Sequence, residues 1–149
     1  MLHRLFETED SYTGLVLRLT LALVMFPHGA QKLLGWFGGN GLTATLQYFS
    51  QNMGIPFLLA VLVIVAESFG ALGLALGLLT RLCAIGIGAV MVGAVMMVHL
   101  PNGFFMNWSG KQPGEGFEFH LLAIGICLAL LCHGGGRWSL DRLIQNRLE

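Results

Sequence analysis

Four long apolar stretches organise this chain, at about residues 13–36, 56–79, 82–100 and 117–133. Each approaches the ~20 apolar residues with which a helix crosses a bilayer. Backbone polar groups in lipid must be satisfied internally, and these stretches do not alternate as barrel strands do, so they predict helices. The second and third are joined by little more than Thr80 and Arg81, which predicts a tight antiparallel hairpin. The first connection, FGGNGLTATLQYFSQNMGI, carries no charge. Its Leu42, Leu46, Phe49 and Met53 recur at helical spacing, which predicts a short helix lying on the membrane surface. The connection PNGFFMNWSGKQPGEG is rich in glycine and aromatics, and both long connections fall at the same end. The pattern predicts an all-α membrane protein, a four-transmembrane-helix antiparallel bundle formed as one domain over residues 1–149. The opening MLHRLFETEDSYTG lacks the order of a signal peptide and reads as a short lead-in on the membrane surface.

Composition agrees. Of 149 residues, 55% are hydrophobic and 11% charged, against about 25% charged in soluble domains; mean hydropathy is +0.72. Formal net charge is zero, so no basic stripe points to nucleic acid. Cys83, Cys127 and Cys132 form no CxxC pair and read as small core residues. The chain shows no dinucleotide fingerprint, haem-attachment motif or iron–sulfur spacing. Arg4, Arg81, Arg137, Arg142 and Arg147 lie towards the termini, and Lys32 and Lys111 towards the long connections. That asymmetry predicts cytoplasmic termini, with Trp36 and Trp108 at the outer interface and Trp138 at the inner one. Gly73 and Gly77, with Gly70, Ala71, Gly86, Gly88 and Gly93, predict close helix packing within the chain.

Against this background each buried polar residue stands out, because a charge at a helix centre costs about 2.5–3.5 kcal/mol. Glu67 sits mid-way along the second helix, some 16 Å from either end at 1.5 Å per residue. Too deep to snorkel, it must be protonated or face a partner. In LVMFPHGAQKLLGWFGG, His28 and Lys32 share one helical face with Met25 and Arg18. Arg18, one turn inside the cytoplasmic end, either snorkels to the surface or turns inward to an acid. Pro27 frees the Leu23 carbonyl and predicts a kink. His99 closes the third helix, and Glu118 and His120 open the fourth. The expected site is an outward-opening pocket with His28, Lys32, His99, Glu118 and His120 in one layer above Glu67. About 200° of helical rotation separates Glu118 from His120, so Glu118 is expected to point inward and His120 to pack. A weaker reading makes His28, His99 and Glu118 a facial metal set.

Four blocks in order, RLTLALVMFPHGAQKLLGWFGGNG, AESFGALGLALGLLTRL, HLPNGFF and GEGFEFHLLAIGICLALLCHGGGRWSLD, resemble the DoxX family of small four-helix membrane proteins, over about residues 12–142. The resemblance implies a bacterial inner membrane and redox chemistry. Members of that family include a subunit linked to thiosulfate oxidation coupled to quinone, and a partner in a membrane complex handling thiol and oxidative stress; some distant relatives act as cargo receptors or chaperones. On its pattern Arg18, His28, Lys32, Glu67, His99 and Glu118 are the positions carried over. The expected function is a quinone-linked oxidoreductase or its membrane subunit, with Glu67, His28 and Lys32 catalytic and Arg18, His99, Glu118 and His120 binding substrate. Electrons would pass to or from a membrane or soluble redox partner. Two other classes compete: a proton-coupled transporter working as a dimer, and a non-catalytic assembly or scaffold subunit.

Overall fold

The structure, a computed structural model, describes residues 3–148, with side chains from Leu5 onward. The side chain of Arg4, counted in the charge asymmetry, lies outside the described residues. The fold is all-α. Helix α1 (His3–Phe6) leads to α2 (Tyr12–Leu34) and to α3 (Gly41–Gln47), which continues as a π turn over Tyr48–Asn52. Then come α4 (Phe57–Leu76) and α5 (Thr80–Ala94), the latter extended by a π turn (Val95–His99) and a 3₁₀ turn (Leu100–Asn102). Helices α6 (Glu118–His133) and α7 (Leu140–Leu148) complete the chain. Three segments are long and apolar enough to cross a membrane: α2, α4, and α5 with its extension. Helix α6 is apolar but shorter, at 16 residues.

Glycines set the register of these four helices. A Cβ on Gly29 would lie 2.6 Å from the Glu67 carbonyl oxygen, so α2 and α4 approach backbone to backbone. Gly73 faces the Cys83 sulfur, and Gly88 faces Cys127. Gly73, late in α4, meets Cys83, early in α5, so these two run antiparallel, and α6 packs on both α5 and α2. Such close approach replaces the hydrophobic drive that lipid removes. The core is Leu21, Met25, Leu74, Ile87, Met91 and Leu130, while Leu23, Leu58, Met96 and Leu122 point outward. The Gly73–Gly77 pair serves this packing within the chain, and Gly77, at φ 65°, ends α4.

The α4–α5 link is Gly77–Leu79, with Thr80 already helical. The hairpin was anticipated, but not its capping. Leu79, at φ 49°, offers no capping side chain; Asp141 of α7 does so instead, accepting from Leu79 N at 2.6 Å and Thr80 N at 2.8 Å. Helix α7 adds an element beyond the four predicted spans; it is amphipathic rather than apolar and therefore invisible to a search for membrane spans. Its start is readable in retrospect: Ser139 accepts from Arg142 N, as an N-cap does.

Arg18 turns inward rather than snorkelling, but its partners are backbone carbonyls and not the expected acid. It is 2% exposed. Its guanidinium donates to the carbonyls of Leu74 (3.0 Å), Ala75 (2.6 Å), Gly135 (2.9 Å) and Trp138 (2.9 Å). It thus ties the C-terminal carbonyls of α4 to the turn between α6 and α7. Thr8, Glu9 and Ser11 fasten the N-terminal segment to that turn. Outside, Asp10 pairs with Arg137 (2.5 Å) and Arg142 (2.8 Å). The Arg137 hydrogen bond holds the Asp10 carboxyl below its usual value. A carboxylate depressed in the folded state stabilises above its unfolded pKa of about 3.9 and loses that contribution as pH falls through the folded one. The N-terminal segment should therefore stay fastened across neutral and mildly acidic pH and loosen below about pH 4; amide exchange of residues 8–11 against pH measures this.

Candidate functional site

At the loop end of the bundle, α2 and α4 bring two opposite charges together. Lys32 Nζ lies 2.5 Å from Glu67 Oε2, with Lys32 23% and Glu67 6% exposed in their side chains. The close approach at Gly29 makes this reach possible, and Ser68 Oγ donates to the Gly29 carbonyl one residue beyond Glu67. At that separation the ammonium and the carboxylate make a charge-assisted contact. Glu67 therefore has the partner that its depth demanded.

Three imidazoles continue from this pair, His28 beside it and His120 and His99 beyond. His99 and His120 stack at 4.1 Å between ring centroids. His28 lies within electrostatic reach of Lys32, Glu67 and His120, yet stays exposed on the flank of α2. Its position on the flank differs from the expected inward one. The π turn explains His99. In a regular helix His99 would sit about 80° round from the buried Met91, and Val98 nearly in line with it. The wider π turn rotates the chain back, leaving Val98 43% exposed and bringing His99 onto His120.

The expected division of Glu118 and His120 is reversed. His120 is the buried residue, at 6% exposure, on one face with Ala123, Cys127 and Leu130. Glu118 accepts from Met106 N at 2.8 Å and so anchors the 103–117 loop. Glu115 adds a second tie, its carboxylate accepting from Asn107 N and its carbonyl from His99 Nδ1 at 2.9 Å. Glu118→Gln should keep the loop closed, because an amide oxygen can accept the same bond, whereas Glu118→Ala should raise cleavage within 103–117 several-fold in limited proteolysis.

The structure thus brings together Lys32, Glu67, His28, His99 and His120. It places Arg18 fourteen residues from Lys32 along α2, about 21 Å away at 1.5 Å per residue, in the terminal tie instead. A facial set of His28, His99 and Glu118 is not assembled: Glu118 is held by the loop, and no three His, Cys, Asp or Glu side chains among the described residues are placed to hold a metal. Two surface grooves lie elsewhere. One, of about 490 Å³, runs beside Arg137, Trp138 and Leu143 at the terminal end. The other, of about 330 Å³, lies between α3 and Phe57.

The family model described as DoxX matches residues 14–100, more than half of the chain and including four of the five clustered residues. A Bacillus subtilis (strain 168) protein named "Putative oxidoreductase CatD" is 28% identical over 116 residues, 78% of this chain and 76% of its own. The Mycobacterium tuberculosis (strain ATCC 25618 / H37Rv) membrane protein Rv3486 is 29% identical, covering 97% of this chain and 88% of its own. The Escherichia coli (strain K12) inner membrane protein YqjF is 26% identical, covering 89% and 92%. No solved structure matches the chain.

Proposed function

This chain belongs to the DoxX family and is a multi-pass protein of the inner membrane, and from that premise we propose that it is the quinone-reactive membrane component of an oxidoreductase system. The reading has α6 crossing the bilayer with the three longer spans and the long loops facing outward, above the site. The observation that carries it is the Lys32–Glu67 ion pair, largely buried in an apolar bundle, with His28 beside it and His120 and His99 next in line. Carrying a charged pair in that position costs stability, and its parts are those that a quinone headgroup requires. An ammonium or imidazolium donates to a quinone oxygen, and carboxylate and imidazole carry protons to and from it. His28 on the flank of α2 gives a lipid-soluble substrate a polar contact from the bilayer side. Electrons come from a partner protein or directly from the reduced substrate. The name of the Bacillus subtilis relative is in keeping with this reading.

Purified protein tests it. Quinone or quinol should co-extract with the lipids, and added quinone should turn over with a reduced sulfur compound or thiol as donor. Turnover should be lost in Glu67→Gln and fall at least about tenfold in His28→Ala, the lower range for one acid–base group. A protein free of quinone that instead releases protons on adding a drug or ion would point to transport. If both variants fold and keep full activity, the cluster is not the site.

A further inference from the structure

His120 is 6% exposed, yet its Nδ1 has no hydrogen-bond partner among the described residues. Buried polar atoms are rarely left in that condition, and each exception calls for an explanation. Other polar groups of the cluster are committed elsewhere. His99 Nδ1 is committed to the Glu115 carbonyl, Glu118 Oε1 to Met106 N, Ser68 Oγ to the Gly29 carbonyl, and Lys32 is paired with Glu67. These groups are already engaged, and no described residue bonds Nδ1, so the atom is open to a partner from outside the chain. The His99 bond also fixes a tautomer: Nδ1 of His99 carries the proton. The ring stacked on His120 is thereby held in place by the 103–117 loop.

We propose that His120 Nδ1 is the atom of this cluster that contacts the ligand, and that it hydrogen-bonds an oxygen of a quinone or hydroquinone headgroup. The proposal rests on the quinone reading above and sharpens it, since the sequence pattern spreads substrate binding over Arg18, His99, Glu118 and His120 and names no contacting atom. The chemistry favours a neutral oxygen. An imidazole nitrogen donates when protonated and accepts when not, which suits both the carbonyl of a quinone and the hydroxyl of its reduced form. A cationic ligand would meet Lys32 and two further imidazoles.

Substitutions at one position test it. Asn places an amide atom as many bonds from Cβ as Nδ1 lies, whereas Gln reaches further, towards the place of Nε2. Binding of a short-tail benzoquinone to protein in nanodiscs is measured by calorimetry. His120→Asn should bind within about threefold of the parent, and His120→Gln and His120→Leu about tenfold or more weakly, the size of one hydrogen bond. Since Asn and Gln are equally polar, their difference does not depend on whether the Leu variant folds. Nitrogen NMR of histidine-labelled protein supplies the second readout: the His120 Nδ1 signal should shift when the benzoquinone is added. If the benzoquinone binds all four proteins equally and leaves that signal unmoved, His120 has no such role and the quinone reading stands. If the signal moves with sulfate and not with benzoquinone, the assigned ligand is wrong. If the parent binds no benzoquinone and the signal answers to neither probe, both readings fall together.

Discussion

Arg18→Leu should largely unmake the terminal end of the bundle. The guanidinium satisfies carbonyls of Leu74, Ala75, Gly135 and Trp138, drawn from the end of α4 and the turn after α6. Leucine fills some of the volume and removes this donor from the Ala75, Gly135 and Trp138 carbonyls, while Leu74 keeps Gly77 N. Each hydrogen bond to a charged group contributes about 1.5–3 kcal/mol, and the bonds are not additive. A loss of at least 3–5 kcal/mol, the range for breaking a buried charged contact, is the expected result. In a thermal melt that corresponds to a fall of about 10 °C or more for a chain of this size. Arg18→Lys should recover only part of it. Lysine keeps the charge but has three donors on one atom, and cannot reach four carbonyls on two sides of a plane. Full recovery by lysine would show that charge, not the planar fork, is what the site uses. The same variants decide where Arg18 belongs. If it is part of the terminal tie, whatever protein remains folded should keep its turnover per molecule. A drop in turnover at unchanged stability would return Arg18 to the substrate site that the sequence suggests.

Legibility divided along physical lines. The four apolar helices were readable because lipid imposes one requirement on every residue of a span, and a single dimension of pattern reveals it. Their ends were readable within a few residues where glycine takes a left-handed conformation, as at Gly35 and Gly77. Lys32 and Glu67 could be listed but not paired by pattern alone, since their contact depends on the approach of two backbones at Gly29. Arg18 was misplaced because helical periodicity reports the face of a residue and not its partners on other helices. His99 and Glu118 illustrate the same limit at smaller scale. One extra residue in a π turn moves His99 onto a different face, and regular 100° counting cannot anticipate it. Helix α7 was missed for a different reason: its work is to cap α5 through Asp141, a role with no apolar signature.

Glu67 and Lys32 offer the sharpest separation of stability from function. Glu67→Gln leaves the Lys32 ammonium without its counter-charge, and Lys32→Met leaves a carboxylate without its own, nearly buried. Each single change should cost up to about 3–5 kcal/mol, or around 10 °C in the melt. For Lys32→Met the cost should be the smaller if Glu67 simply takes up a proton, because a neutral acid is far cheaper to bury than a charged one. The double variant, Glu67→Gln with Lys32→Met, removes both charges and should regain most of the loss, finishing within about 1 kcal/mol of the parent. Buried ion pairs are often replaceable in this sense, so their presence argues for a use other than stability. Turnover should separate from the melt: absent in Glu67→Gln, absent in the double variant, and not restored by its recovered stability. A double variant that is both stable and active would reduce the pair to a packing device that fixes the register of α2 on α4, and the proton chemistry would then have to reside in His28, His99 and His120 alone.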